Sequence, residues 1–150
     1  MSDATSAVAA TSAAESTYDS VLVTGGTGFL GLHTCQFFAN GGWDVTALDL
    51  KPFAPEDDTE GITYEEGDVR DEERIGEVIE AADADVVVHA AAALPLWDDA
   101  TIREVTIDGT RSVLWAAEEA GIELLVSTYY FTPLPAGLYA SMPYAKSMTS

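Results

Sequence analysis

The chain has 150 residues, 47% of them hydrophobic, which suits one folded domain with a single buried core. Its 26 Asp and Glu against 6 Lys and Arg give a formal charge of -20, so it offers no cationic footprint for nucleic-acid phosphate or an anionic membrane. The one cysteine, Cys35, excludes an intrachain disulfide, and no apolar run approaches the ~18 residues of a membrane span.

The opening MSDATSAVAATSAAEST has no basic start and no apolar stretch of signal-peptide type. Residues 1–18 read as a disordered Ala/Ser/Thr tail, and the protein is expected in the cytoplasm. SVLVTG is then a short apolar strand, followed by a helix from about Phe29 to Asn40 that Gly41 and Gly42 stop. DVTALDL is a second strand, and KPFAPEDDTEG an acidic surface loop. ITYEEGD is a third strand, and DEERIGEVIEAA a helix with Ile75, Val78 and Ile79 on one face. ADVVVHAAA reads as a strand buried on both sides. WDDATIREVTIDGTRSVLWAAEEAG makes one long helix starting near Asp98 or Asp99 and ending at Gly121, and IELLVST is a fifth strand. Such alternation predicts an α/β fold, a Rossmann-like doubly wound parallel sheet of about five strands in the order 3-2-1-4-5, over residues 19–128. The acids are scattered through the middle of the chain instead of forming one tail. That favours a surface adapted to high salt over an acidic interaction surface.

The first strand runs directly into TGGTGFLG, where Gly25, Gly26, Gly28 and Gly31 satisfy both G-x-G-x-x-G and G-x-x-G-x-x-G. Glycine there permits a tight turn, close approach of backbone to a pyrophosphate, and close helix–strand packing. Amides at the start of the helix, around Phe29, Leu30 and Gly31, face the anion with the helix dipole behind them. Asp49 ends the second strand, eighteen residues after Gly31, where a carboxylate accepts from both ribose hydroxyls of an adenosine. It repels a 2′-phosphate, so NAD is favoured over NADP; Lys51, two residues on, weakens the preference slightly.

With GDVRD and VVHAAA added, the chain resembles the extended short-chain dehydrogenase/reductase family, of NAD-dependent epimerase/dehydratase type. The resemblance runs from about residue 20 to 128. It implies that Gly25, Gly28, Phe29, Leu30, Gly31 and Asp49 hold the dinucleotide. It further implies that Asp68 and Val69 contact adenine, and that Ala90, Ala91 and Ala92 form a small-residue wall beside the cofactor. VTIDGTRSVLWAA resembles the family's V-N-V-x-G-T helix, with Thr106 at the asparagine position, a departure that loosens the polar network behind the active site. His89 is expected to pack in its strand-end motif and not to titrate in catalysis; no metal site is indicated.

In this family a tyrosine is the acid/base, a lysine four residues later lowers its pKa, and a Ser or Thr after the fifth strand orients the substrate oxygen. The matching positions are Thr128 and, in PYAKSM, Tyr144. The lysine position is then Met148, and Lys146 falls two residues after the tyrosine, about 200 degrees away on a helix. Residues 127–150 also contain no Asp or Glu, so 129–150 reads as an atypical segment, either a shifted reading frame or a divergent site. The resemblance implies a C-terminal substrate domain that is expected to be missing here. The function expected is an NAD-dependent epimerase/dehydratase-type oxidoreductase domain for a nucleotide sugar or similar hydroxyl/carbonyl substrate, with impaired chemistry. The alternative is a non-catalytic NAD-binding module or remnant. Partners are the dinucleotide and a small-molecule substrate, with no nucleic acid and no membrane; pairing into a homodimer, frequent in the family, is left open.

Overall fold

The computed structural model describes residues 18–92 and 97–122, together with the backbone of 124–127. The predicted strand order holds. Strands β1 (Ser20–Thr24), β2 (Asp44–Asp49), β3 (Ile62–Glu66), β4 (Val86–His89) and β5 (Leu124–Ser127) form one parallel sheet, ordered β3-β2-β1-β4-β5. Helix α1 (Phe29–Asn40) joins β1 to β2, and α2 (Glu72–Ala82) joins β3 to β4. The last crossover is made of α3 (Asp99–Arg103), a π turn (Glu104–Asp108) and α4 (Gly109–Glu119). The tail 1–17 and the segment from 128 onward, including Thr128 and Tyr144, lie outside the described residues.

Period-2 alternation in the central strands sends apolar side chains to both faces. Val21, Val23, Val45, Ala47, Val86 and Val88 pack with Cys35 of α1 on one side. Leu22, Leu48 and Val87 meet Ile75, Val78 and Ile79 of α2 and Val113, Ala116 and Ala117 of α4 on the other. The apolar face expected of α2 is therefore its buried one.

Three element boundaries differ from expectation. The fourth strand ends at His89, and Ala90–Ala92 leave the sheet after one further hydrogen bond, Ala90 N–H to the Thr24 carbonyl at 3.0 Å. The edge strand β3 likewise stops early, at Glu66, and Gly67 N–H closes it on the Asp49 carbonyl at 3.0 Å. The long helix after Asp98 is interrupted by the π turn, which nothing in its apolar pattern marks; the β-branched run Val105-Thr106-Ile107 is a weak helix former. Asp98 is its N-cap, accepting from Thr101 N–H at 2.9 Å.

The amino-terminal edge of the sheet collects carboxylates. Asp85 accepts from Asp19 N–H at 3.0 Å and Ser20 N–H at 3.2 Å, and these bonds hold its carboxyl below the usual range. Asp19 is pushed up by its hydrogen bond with Asp85 and by the like charges of Asp85, Asp44 and Asp83. Those charges are exposed, so salt relieves their repulsion. Between about 0.1 M and 1 M salt the screening length falls from ~10 to ~3 Å. We expect the thermal midpoint, followed by circular dichroism, to rise over that range; a flat or falling midpoint would overturn the salt-adapted reading of the surface.

His89 is 2% exposed, and burial pushes its imidazole down to about 4. The unfolded chain therefore takes up a proton below about pH 6.5 that the folded chain refuses until about pH 4, so stability falls as pH drops through this window. Denaturant titrations at pH 7 and pH 5 should differ by about 2 kcal/mol from this residue. An NMR titration midpoint near 6.5 for His89 in the folded protein would contradict its buried, neutral state.

Candidate functional site

The carboxyl ends of β1, β2 and β4 meet at the glycine turn. Gly25 has a left-handed φ of 68°, and a Cβ there would sit 2.6 Å from the backbone of Ala91. At Gly26 it would meet Ala47 Cβ of β2 at 2.5 Å. At Gly31 it would land on the carbonyl oxygen of Gly25. These three positions are glycine because the protein itself leaves no room.

Gly28 is different. Its φ is -74°, and a Cβ would meet only the Gly25 carbonyl oxygen, at an ordinary 3.4 Å. The fold tolerates a side chain at this position, so the absence of one leaves open space over the start of α1. Gly28 is the N-cap of α1 and has no side chain to satisfy the first amides, and no acid lies in the first turn. Helix α2 shows the opposite arrangement, with Asp71 accepting from Arg74 N–H at 3.0 Å and Glu72 and Glu73 in its first turn. An uncapped helix start behind a glycine turn, with no acid in its first turn, fits a pyrophosphate. Phe29 is 84% exposed and Leu30 lies beside it on the surface, so what these two offer an anion is main-chain N–H.

Asp49 stands at the end of β2 beside this turn. Its carboxylate accepts from Thr27 N–H at 3.2 Å and from Leu50 N–H at 2.7 Å. With about four lone-pair positions on a carboxylate, acceptor capacity remains for a ribose diol. Thr27 was not among the predicted site residues; its main-chain tie to Asp49 has no side-chain signature in the sequence.

Behind the turn lies a polar chain that sequence reasoning also missed. Thr24 Oγ1 lies 2.6 Å from His89 Nδ1, and His89 Nε2 lies 3.1 Å from Thr110 Oγ1. Thr110 donates to the Thr106 carbonyl. A carbonyl only accepts, so Thr110 spends its proton there and must accept from Nε2–H of His89. Neutral His89 then accepts at Nδ1 from the Thr24 hydroxyl. The last residue of β1, the last of β4 and the π turn are thus linked through one neutral imidazole, which packs as expected. Thr106 enters this chain of contacts through its main-chain carbonyl. A signal was available: Thr24 directly precedes the first glycine, and Thr110 directly follows Gly109.

Asp68 and Val69 lie on the loop after β3. Val69 is buried in the core facing α2 and α4, and a Cβ on Gly109 would meet its Cγ2 at 2.8 Å, so the loop is pressed onto the start of α4. Asp68 keeps its carboxylate toward the surface, and hydrogen bonds from Arg70 hold it below the usual carboxylate range. Ala90, Ala91 and Ala92 are half-buried, and the backbone of Ala90 and Ala91 lies against Gly25. His33 packs edge-on against Phe29, with ring centroids 4.7 Å apart. Among the described residues no group of His, Cys, Asp and Glu could hold a metal ion, and no helix is long and apolar enough to cross a membrane.

Known proteins share this fold. The model of the NAD dependent epimerase/dehydratase family matches residues 21–132. A UDP-glucose 4-epimerase of Rhizobium leguminosarum bv. trifolii is 33% identical over 129 residues, which cover 83% of this chain and 39% of the relative. A sterol-4-alpha-carboxylate 3-dehydrogenase of Saccharomyces cerevisiae is 32% identical over 119 residues, 73% of this chain and 34% of the relative. The chain thus spans less than half the length of these relatives. Among solved structures, the UDP-glucose 4-epimerase of Thermus thermophilus in complex with NAD superposes with a TM-score of 0.63 at 31% identity, covering 71% of this chain and 36% of that one. The glycine turn, its acidic neighbour and the sheet that carries them place the chain in the NAD dependent epimerase/dehydratase family, among the extended short-chain dehydrogenases/reductases.

Proposed function

We propose that this chain binds NAD across the carboxyl edge of its sheet and is the cofactor-holding part of an epimerase/dehydratase-type oxidoreductase for a nucleotide sugar. The observation that carries the reading is the start of α1, where uncapped amides face a space that a Cβ at Gly28 would enter although the fold does not forbid it. On this reading Phe29, Leu30 and Gly31 amides hold the pyrophosphate, and Asp49 takes the adenosine ribose. Asp68 and Val69 receive adenine, and Ala90–Ala92 flank the nicotinamide side. Bound NAD supplies a hydride acceptor and donor. Thr128 and Tyr144 take the positions that orient the substrate oxygen and exchange its proton, in a pair impaired by Met148 at the lysine position.

A specific observation favours a second reading, that of an NAD-binding module without turnover. Met148 stands where a cation would lower the pKa of Tyr144, and a phenol with a free pKa of about 10 is a poor base at neutral pH. Lys146 is two residues from Tyr144, a spacing that would be about 200 degrees of rotation on a helix.

Isothermal titration of NAD into the full chain separates the cofactor site from its alternatives. Gly28→Val should keep the thermal midpoint within a few degrees yet weaken NAD by about tenfold or more, and Asp49→Ala should weaken NAD and reduce its advantage over NADP. Unchanged affinity in both variants, or no heat with wild-type protein, would refute the site. For the chemistry, we expect neither conversion of UDP-glucose to its 4-epimer nor steady NAD reduction with a hydroxysteroid, and no recovery of either in Met148→Lys alone. A steady rate from the unaltered chain would overturn the impaired-site reading in favour of a working Tyr144.

A further inference from the structure

Helices α2 and α4 lie on one face of the sheet and end at its amino-terminal edge, opposite the glycine turn. Between their last turns lies a cleft of about 460 Å³. Ile79 and Ala116 are buried at its floor beside Ile122, and Glu80, Asp83 and Glu119 stand exposed at its rim. Gly76 of α2 forms part of the wall, and among the described residues no Lys or Arg lines the cleft.

Two of these residues are poor choices for the fold alone. Gly76 lies in the interior of α2, where glycine is the weakest helix former short of proline. A Cβ there would meet nothing within 4 Å, so no close approach requires a glycine, and its φ is not left-handed. Asp83 takes a left-handed φ of 47° at the exit of α2, where glycine is the usual residue; α4 makes the same exit with Gly121, at φ 75°. Ser20 Oγ donates to the main-chain carbonyl of Asp83 at 2.6 Å, a contact that glycine would keep. The Asp83 carboxylate also stands at the negative end of a helix dipole, and the last turns of α2 and α4 carry no basic residue to offset it. Local rules broken twice around one cleft point to a use outside folding.

We propose that this cleft is a docking site for a basic amphipathic segment of a partner protein. Leucine-sized side chains seat on Ile79, Ala116 and Ile122, in the space that Gly76 leaves open. Lys or Arg side chains, their apolar stems lying along the cleft, meet the rim carboxylates and the carbonyl ends of both helices. Charge decides the occupant: a second copy of this chain, at formal charge -20, would bring like charge to an acidic rim. The proposal stands apart from the cofactor reading, because the cleft and the glycine turn lie at opposite edges of the sheet.

Fluorescence anisotropy of a labelled Leu/Lys amphipathic peptide, titrated with the full chain at about 0.1 M salt, provides the test. Wild type should bind this peptide, and should bind a Ser/Lys peptide of equal charge about tenfold more weakly. Gly76→Leu fills the cleft without changing charge; it should hold or raise the thermal midpoint and weaken the Leu/Lys peptide about tenfold. Glu80→Gln combined with Glu119→Gln should weaken it by a similar factor. The same charge change in the loop before β3, Glu56→Gln combined with Glu60→Gln, should leave it within about twofold. Equal loss in the two double variants, or equal binding of the two peptides, means diffuse attraction of a cation to an acidic protein and overturns the proposal. Unchanged affinity in Gly76→Leu at an undiminished midpoint overturns it too, as does no binding by wild type. Should Gly76→Leu fail to fold, the two double variants decide by themselves.

Discussion

The rest of the site depends on one steric constraint, the close approach of α1 to the ends of β1 and β2. Gly31 sits directly on the Gly25 carbonyl, Gly26 lies against Ala47, and Gly25 against Ala91. No side chain fits at any of these contacts. Because the helix starts so close to the sheet, its first amides emerge at the carboxyl edge, between the ends of β1 and β2. Asp49 is thereby brought within hydrogen-bonding distance of the turn at Thr27. The half-buried alanines after β4 complete the far wall.

Charge distribution matters more here than net charge. A chain of formal charge -20 repels a dinucleotide at long range. Locally the sign is reversed: the start of α1 has no acid in its first turn, while α2 begins with a capping aspartate and two glutamates. Salt screens the long-range field but hardly touches contacts within a few ångströms. An acidic surface and an anion site can therefore coexist, provided that the carboxylates stay away from one helix end. Asp49 is the exception, its carboxylate lying against the turn at Thr27 N–H.

Polar groups in the core serve as alignment. The neutral imidazole of His89 ties the last residue of β1 to the crossover helix through Thr24, Thr110 and the Thr106 carbonyl. Arg70 makes a second tie at the surface, between the loop after β3 and the π turn. Both end on the same short helical segment, residues 104–110. The segment fixes the positions of two parts of the site that lie far apart in sequence.

Strand order, the apolar face of α2, the glycine turn and Asp49 were all legible in the sequence. Each depends on a local pattern: unbroken apolar runs in SVLVT and VVVH, period 3.6 in ERIGEVIEA, and fixed offsets in GGTGFLG. The sequence could not separate the four glycines, because identical letters answer to two different demands. Tertiary packing did so, leaving Gly25, Gly26 and Gly31 no room for a Cβ and leaving Gly28 free of the protein's own atoms beyond one ordinary contact. The π turn, the tautomer of His89 and the clamp of Arg70 on Asp68 were likewise decided only in three dimensions. They arise from atoms that meet across the sheet or across a crossover, and a linear pattern carries no record of such distances.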